Sequence, residues 1–326
     1  MTPGAVTLIG ESAPFAKSRS CLRRIARTHA TVLIEGETGT GKELAARFVH
    51  YEGPRRPGPF IPINCGAIPE ALVESELFGH RQGAFTDAKS DAPGILLLAD
   101  GGTLFLDEVD SLSARAQVAL LRFLQDRTIR PLGGAAERTV DVRIISATNC
   151  SLARLVTQRQ FRQDLYYRLN VMHIELPPLR ERGADIDLFA DHFLQQLARR
   201  QGMPPPRLDA RSLSWLRGHP WPGNIRELEN LLEREFLLAD GAPVIVLSAL
   251  QDSAAPSEDT ASWNYRRAKA RVVEEFDRGF LKRLMRHAEG NVTIAARASG
   301  KERRDLGRLL RKYSIVPDAF RPHDPF

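Results

Sequence analysis

The chain has 326 residues, 43% of them hydrophobic and 26% charged, a balance that suits soluble globular material in at least two domains. No apolar run approaches the roughly 18–20 residues needed to cross a bilayer. The opening MTPGAVTLIGESAPF lacks the basic-then-apolar profile of an export signal, so the expected place is the cytoplasm and no membrane partner is expected. Cys21, Cys65 and Cys150 are widely separated and in no metal-ligand spacing, and they read as ordinary thiols in a reducing compartment.

The net charge of +6 is unevenly spread: from Trp263 onward there are sixteen Lys and Arg against eight Asp and Glu, leaving thirty against thirty-two before it. Such a concentration suits either a nucleic-acid partner for the last fifth of the chain or a solvated basic tail.

In chain order, THATVLIEG (28–36) is a short β-rich run ending in a glycine turn, and KELAARFVHY after it has helical spacing. GTLFLDEVD (102–110) and VRIISATN (142–149) are further buried-strand patterns. Short apolar strands alternating with helices predict a parallel sheet covered on both faces. From Pro177 to about Leu250 the pattern turns helical, with ADIDLFADHFLQQLARRQG and NIRELENLLEREFLLADG in helical apolar spacing and the second ending at a glycine. The stretch 251–262 is small, polar and proline-containing, as a linker would be. The expected plan is an α/β core over 1–176, a helical lid over 177–250, the linker, and a basic helical region over 263–326.

GETGTGKE (Gly36–Glu43) fits G-x-x-x-x-G-K between a predicted strand and a predicted helix. In that setting the backbone N–H groups of Gly36, Glu37, Thr38, Gly39, Thr40 and Gly41 face phosphates and Lys42 reaches the terminal ones. Glu43 stands where Ser or Thr would contact Mg²⁺. A glycine-rich turn without a ligand is the plainer alternative. Asp107 and Glu108 end the second buried strand, where Asp107 can hold Mg²⁺ and Glu108 can orient an attacking water. Acids at strand ends are common, and it is the preceding phosphate loop that gives this pair its meaning.

ETGTGKEL, PINCGAIPE, ELFGHRQGAFTDA, GGTLFLDEVD, FRQDLYYRLNV and WPGNIRELEN resemble, in order, the signature segments of the sigma-54-dependent activators, or bacterial enhancer-binding proteins. The resemblance covers nearly all of residues 8–250. It implies an AAA+ core and lid binding ATP and Mg²⁺, with Asn64 as a switch that holds Glu108 and Thr148 and Asn149 as sensor I. Arg162 and Arg168 match the arginine fingers that act across a subunit boundary, so a head-to-tail ring follows, six-membered in the family. Arg226 matches sensor II. Without the family, Thr148 and Asn149 read equally well as a polar strand end, and each arginine as a surface ion pair.

The segment Gly83, Ala84, Phe85, Thr86, Asp87, Ala88 occupies the place of the family's GAFTGA loop, which contacts sigma-54. An exposed Phe85 among small residues makes sense against a partner, and a core-packed Phe85 is the alternative. Asp87 replaces glycine, Arg81 stands where acids are common, and Leu97 replaces the usual Glu of Gly94–Ala99; Arg130–Gly134 matches the supporting second loop.

EGNVTIAARASGKERRDLGRLLRKYSI (289–315) reads as two helices joined at Ser299–Gly300 and resembles the family's Fis-like helix-turn-helix. The candidates for contact with double-stranded DNA upstream of promoters are Lys301, Arg303, Arg304, Arg308, Arg311 and Lys312. A basic helical hairpin is the alternative. The resemblance implies an ATP-driven activator of sigma-54 RNA polymerase. Since the chain begins almost at the core, regulation is expected from expression level or a protein acting in trans. The rival expectation is a DNA-binding regulator that keeps the fold without engaging sigma-54.

Overall fold

The computed structural model describes residues 7–85, 88–252, 281, 284, 285, 288, 290–299 and 303–313. The chain divides into two compact units, Met1–Ala254 and Ala255–Phe326.

Five strands make one fully parallel sheet in the first unit: β1 (Val32–Glu35), β2 (Phe60–Asn64), β3 (Thr103–Asp107), β4 (Arg143–Thr148) and β5 (Met172–Glu175), in the order β2-β3-β4-β1-β5. Side chains alternate across a strand, which sends Val32, Ile34, Phe105, Ile145 and Ala147 to one face and Leu33, Leu104, Leu106 and Ile144 to the other. The first face is covered by α1 (Ala13–Ala26) and α2 (Lys42–Tyr51) through Leu22, Ile25, Phe48 and Val49. The second is covered by α3 (Ala114–Asp126) and α4 (Gln163–Leu169) through Leu120, Phe123, Leu165 and Leu169. Fully burying each such side chain contributes about 1.5–3 kcal/mol. The α/β expectation holds, and the predicted central strands and α2 fall where the pattern puts them. The two strands that the pattern does not single out are the sheet's edges. Pro62 lies within β2, and proline lacks the N–H an interior ladder requires; β5 is four residues long and includes His173 and Glu175.

Beyond the sheet, α5 (Asp185–Gln201), α6 (Ala210–Gly218) and α7 (Asn224–Leu238) form the helical lid. Phe189, Phe193, Leu216, Trp221, Leu228 and Leu232 make its core, and the buried Trp221 indole donates to the Leu216 carbonyl at 2.8 Å. Helix α5 stops at Gly202, whose φ of 67° closes the end. Among the described residues no helix is long and apolar enough to cross a membrane.

A buried ion pair fastens the segment before α1 to the lid. Arg182 Nε lies 2.9 Å from Asp185 Oδ2, with both side chains almost wholly buried. The Asp185 carboxylate also accepts the Glu11 and Ser12 N–H groups and the Ser12 hydroxyl, while Arg182 donates to the Ile9 carbonyl and lies over the Phe15 ring. Gly10 fits because a Cβ there would meet Arg182, Asp185 and Phe15 within 2.6 Å. Burial alone would raise the Asp185 carboxyl; the bonds from Ser12, Glu11 and Arg182 outweigh it and hold the group below its ordinary value.

Removing one member of such a pair leaves a buried charge alone, so Asp185→Ala should lower unfolding free energy by about 3–5 kcal/mol in urea titrations. The folded-state pKa is the depressed one. The contribution is therefore full above the ordinary value of 3.8 and is lost as pH falls through the folded value. The stability gap between wild type and Asp185→Asn should accordingly shrink below about pH 4.

Candidate functional site

The loop after β1 turns sharply into α2 because Gly39 and Gly41 take φ of 80° and 91°, a region costly for residues with a Cβ. Gly36 N–H donates to the Thr148 carbonyl at 3.3 Å, tying the loop's start to β4. The Thr40 hydroxyl donates to the Glu37 carbonyl at 2.8 Å, and Thr38 is exposed at the tip. Lys42 opens α2 and its Nζ donates to the Gly36 and Glu37 carbonyls at 2.8 and 3.1 Å. Burial holds the Lys42 ammonium below its ordinary value against the pull of Asp107, Asp110 and Glu108. A desolvated ammonium resting on the carbonyls of its own loop suits the anionic end of a nucleotide. Glu43 pairs with Arg47 at 2.8 Å on the half-exposed side of α2, so its side chain serves the helix surface.

Strand pairing brings the acids to this loop. Asn64 lies opposite Asp107 in the β2–β3 register. Burial raises the Asp107 carboxyl above its ordinary value, an effect that the Glu108 N–H and Lys42 only partly offset. Glu108 leaves the strand with φ 53° and ψ 47°, a left-handed conformation costing a non-glycine residue about 1–2 kcal/mol. Strain of this kind gathers at functional sites. Asn64 does not hold Glu108 in this structure: its amide oxygen accepts the Gly66 and Ala67 N–H groups at 2.8 and 3.2 Å. The two residues still share a corner, since a Cβ on Gly66 would fall 2.7 Å from Glu108 Oε2 and 3.3 Å from Asn64 Oδ1. Among the described residues no three His, Cys, Asp or Glu side chains gather as a metal site. A magnesium ion at Asp107 would therefore take its other ligands from phosphate and water, a usual arrangement for this ion.

Thr148 and Asn149 divide in role. Thr148 is buried and its hydroxyl donates to Asp110 at 2.6 Å, whereas Asn149 is exposed beyond the strand end. Arg162 and Arg168 lie exposed at the two ends of α4. Arg162 pairs with its neighbour Asp164 at 2.7 Å, and no ion pair engages Arg168 among the described residues. Arg226 is exposed in the first turn of α7, and its charge also depresses Lys42.

The lid grips the phosphate loop in a way the motif pattern did not announce. Ile225 N–H donates to the Gly39 carbonyl at 3.0 Å, and a Cβ on Gly39 would meet the Gly223 carbonyl oxygen at 2.2 Å. Asn224 and Arg180 bind Glu37. The Glu37 side chain thus turns to the lid and leaves only its backbone in the cradle.

The Gly83–Ala88 segment is described up to Phe85 and again from Ala88; Thr86 and Asp87 lie outside the described residues. Phe85 is half-buried, packed edge-on against His80 with ring centroids 4.9 Å apart, which corrects the expectation of an exposed ring. His80 is itself held by the Ser75 hydroxyl at 2.7 Å. Arg81 pairs with Asp91 across the base of the loop, and its N–H donates to the Leu132 carbonyl of the second loop at 2.9 Å. In that second loop Arg130 donates to the Gly134 carbonyl, and Gly133 makes room for Ala84. Leu97 packs against the core, where an acid would be out of place.

In the second unit α8 (Val292–Ala298) is capped by the Asn291 side chain, and α9 (Arg303–Lys312) follows. Ala295, Ala296, Leu306, Leu310 and Tyr313 pack together with Leu281 and Met285. Arg304, Arg308 and Lys312 are exposed, with Arg308 3.7 Å from Asp305 and Lys312 over the Tyr313 ring. Gly300, Lys301 and the side chains of Arg303 and Arg311 lie outside the described residues.

A family model described as Sigma-54 interaction domain matches residues 8–175, and one described as AAA+ ATPase lid domain matches residues 180–267. The chain belongs to the sigma-54-dependent activator family of AAA+ ATPases. It is 43% identical over 310 residues to the response regulator protein PilR of Pseudomonas aeruginosa, covering 94% of this chain and 70% of that protein. It is 41% identical to the nitrogen fixation protein AnfA of Azotobacter vinelandii, covering 96% of this chain and 58% of that protein. The chain thus spans between 58% and 70% of these two relatives' lengths. The structure of NtrX from Brucella abortus in complex with ATP superposes with a TM-score of 0.72 at 32% identity, over 95% of this chain and 70% of that one. Within this AAA+ chain, the lid-to-loop contact makes Gly39 and Gly41 separable. Gly41→Ala meets no atom within 4 Å and should cost only the backbone strain of about 1–2 kcal/mol. Gly39→Ala adds the overlap with Gly223 and should lower the thermal midpoint clearly further.

Proposed function

We propose that this chain is a cytoplasmic, magnesium-dependent ATPase that converts hydrolysis into remodelling of promoter-bound sigma-54 RNA polymerase. The observation that carries the reading is the meeting of the Gly36–Lys42 loop with Asp107 and Glu108, at the ends of strands in one sheet. The loop N–H groups and Lys42 bind the phosphates of ATP, and Asp107 holds Mg²⁺. Bound magnesium would supply charge neutralisation on the transferring phosphoryl group. Glu108 orients the attacking water, Asn64 takes hold of that carboxylate in a different nucleotide state from this structure's, and Thr148 and Asn149 sense the γ-phosphate from the end of β4. Arg226 relates nucleotide state to the lid.

Arg162 and Arg168 are exposed on the same chain as the phosphate loop, so they serve a neighbour's nucleotide in a head-to-tail ring, of six copies by the family resemblance. Within each copy, Phe85 and its loop carry the stroke to sigma-54. The unit from residue 255 onward docks on double-stranded DNA upstream of the promoter, with α9 in the major groove and Arg304, Arg308 and Lys312 exposed along it; Lys301, Arg303 and Arg311 are the further candidates for contact. A second reading, a DNA-binding regulator that does not engage sigma-54, is favoured by Phe85 lying folded on His80 and by Leu97 packing, partly buried, against the core.

Open-complex formation at a sigma-54 promoter separates the two readings. Wild type with ATP should yield open complexes, and Phe85→Ala should not. Glu108→Gln should bind ATP yet lose hydrolysis and open complexes, by about 100-fold or more. Open complexes made equally well by Phe85→Ala would sink the loop assignment. ATP hydrolysis by wild type with no open complexes would select the second reading.

A further inference from the structure

Glu37 is an awkward residue for a phosphate cradle, because a carboxylate beside a triphosphate repels it. The structure disposes of that charge on the lid. Arg180 takes both carboxylate oxygens with Nη1 and Nη2 at 2.8 and 2.6 Å, the bidentate geometry that suits guanidinium to carboxylate. Asn224 adds its Nδ2 to Oε2 at 3.1 Å. Those bonds hold the Glu37 carboxyl below its ordinary value, with Arg180 the largest cause and Asn224 the next.

Asn224 does more than touch Glu37. It is wholly buried and sits at φ 54°, where asparagine is among the better-tolerated residues with a Cβ. Its Nδ2 also donates to the Thr38 carbonyl at 2.9 Å, and its Oδ1 accepts the Leu179 N–H at 2.7 Å. A backbone N–H can only donate and a carbonyl can only accept, so these partners fix which way the amide points. An aspartate there would keep the bond from Leu179 and lose both bonds to the loop. The next residue, Ile225, bonds to Gly39, and Arg226 follows.

We propose that Arg180 and Asn224 are positioning residues for ATP, drawing the Glu37 carboxylate out of the phosphate cradle and tying the start of α7 to the loop. The proposal rests on reading this loop as the ATP site. It assigns the lid a direct part in loop geometry: what moves Thr38 and Gly39 moves Leu179 and Ile225.

The test is equilibrium binding of a fluorescent ATP analogue to the full chain, with wild-type binding as the check on the reading itself. Asn224→Asp sets a second carboxylate against Glu37 and should weaken binding about 10-fold or more. Adding Glu37→Gln gives that carboxylate an amide donor and should return affinity to within about 3-fold of wild type. Arg180→Ala alters a half-exposed side chain and should weaken binding several-fold, again relieved by Glu37→Gln. Affinity unchanged in both single variants, or losses that Glu37→Gln fails to relieve, would overturn the proposal by leaving these side chains a structural part only. Absence of binding by wild type would overturn the ATP reading and this inference together.

Discussion

Two stretches of backbone meet at Gly39, and most of the site's geometry follows from how closely they approach. The Gly39 carbonyl accepts the Ile225 N–H at 3.0 Å, and the Gly223 carbonyl stands where a side chain on Gly39 would begin. A loop pinned by its own backbone cannot move without moving what pins it. The phosphate loop is anchored on its other side as well, through Gly36 to Thr148 at the end of β4. One short loop therefore joins the sheet, which supplies the acids, to the lid, which supplies Arg226.

The sheet contributes order in a different sense. Parallel pairing with Asn64 beside Asp107, and Glu35 beside Thr148, brings the ends of adjacent strands to one edge, where ligands of open α/β sheets lie. Desolvation then works on the groups there in opposite directions, raising the Asp107 carboxyl and lowering the Lys42 ammonium. Both shifts mark charges that lack full solvation, the condition in which a magnesium ion and a phosphate gain most. The left-handed Glu108 belongs to the same economy of position, since the strand must end there for its carboxylate to reach the corner occupied by Gly66.

Much of this was legible in the residues. The loop GETGTGKE, the acids after TLFL and the segments in family order point to an AAA+ core with a helical lid, and the fold agrees. The central strands showed as apolar runs because both of their faces are buried; β2 and β5 did not, because an edge tolerates Pro62 and His173. The contacts of Asn224 and Arg180 leave no mark in the sequence pattern for another reason. Their partners, Glu37 and Thr38, lie more than a hundred residues away in sequence, and no periodicity reports a contact at that distance. The small neighbours of Phe85 suggest exposure, whereas His80, five residues earlier, offers it an aromatic face. The resemblance puts Asn64 on Glu108, yet its bonds here are those its oxygen accepts from the Gly66 and Ala67 N–H groups, and its amide nitrogen makes none to that carboxylate.

Phosphate loop and lid are joined backbone to backbone at Gly39 and Ile225, so nucleotide bound at the loop should be felt directly in α7. Amide hydrogen exchange at Ile225 and Leu179 reads that coupling, because the first N–H is bonded to the loop backbone and the second to the Asn224 amide. Addition of ATP and magnesium should slow exchange at both amides together with those of residues 36–42. Protection confined to the loop, with Ile225 and Leu179 exchanging as before, would mean that loop and lid respond to nucleotide separately.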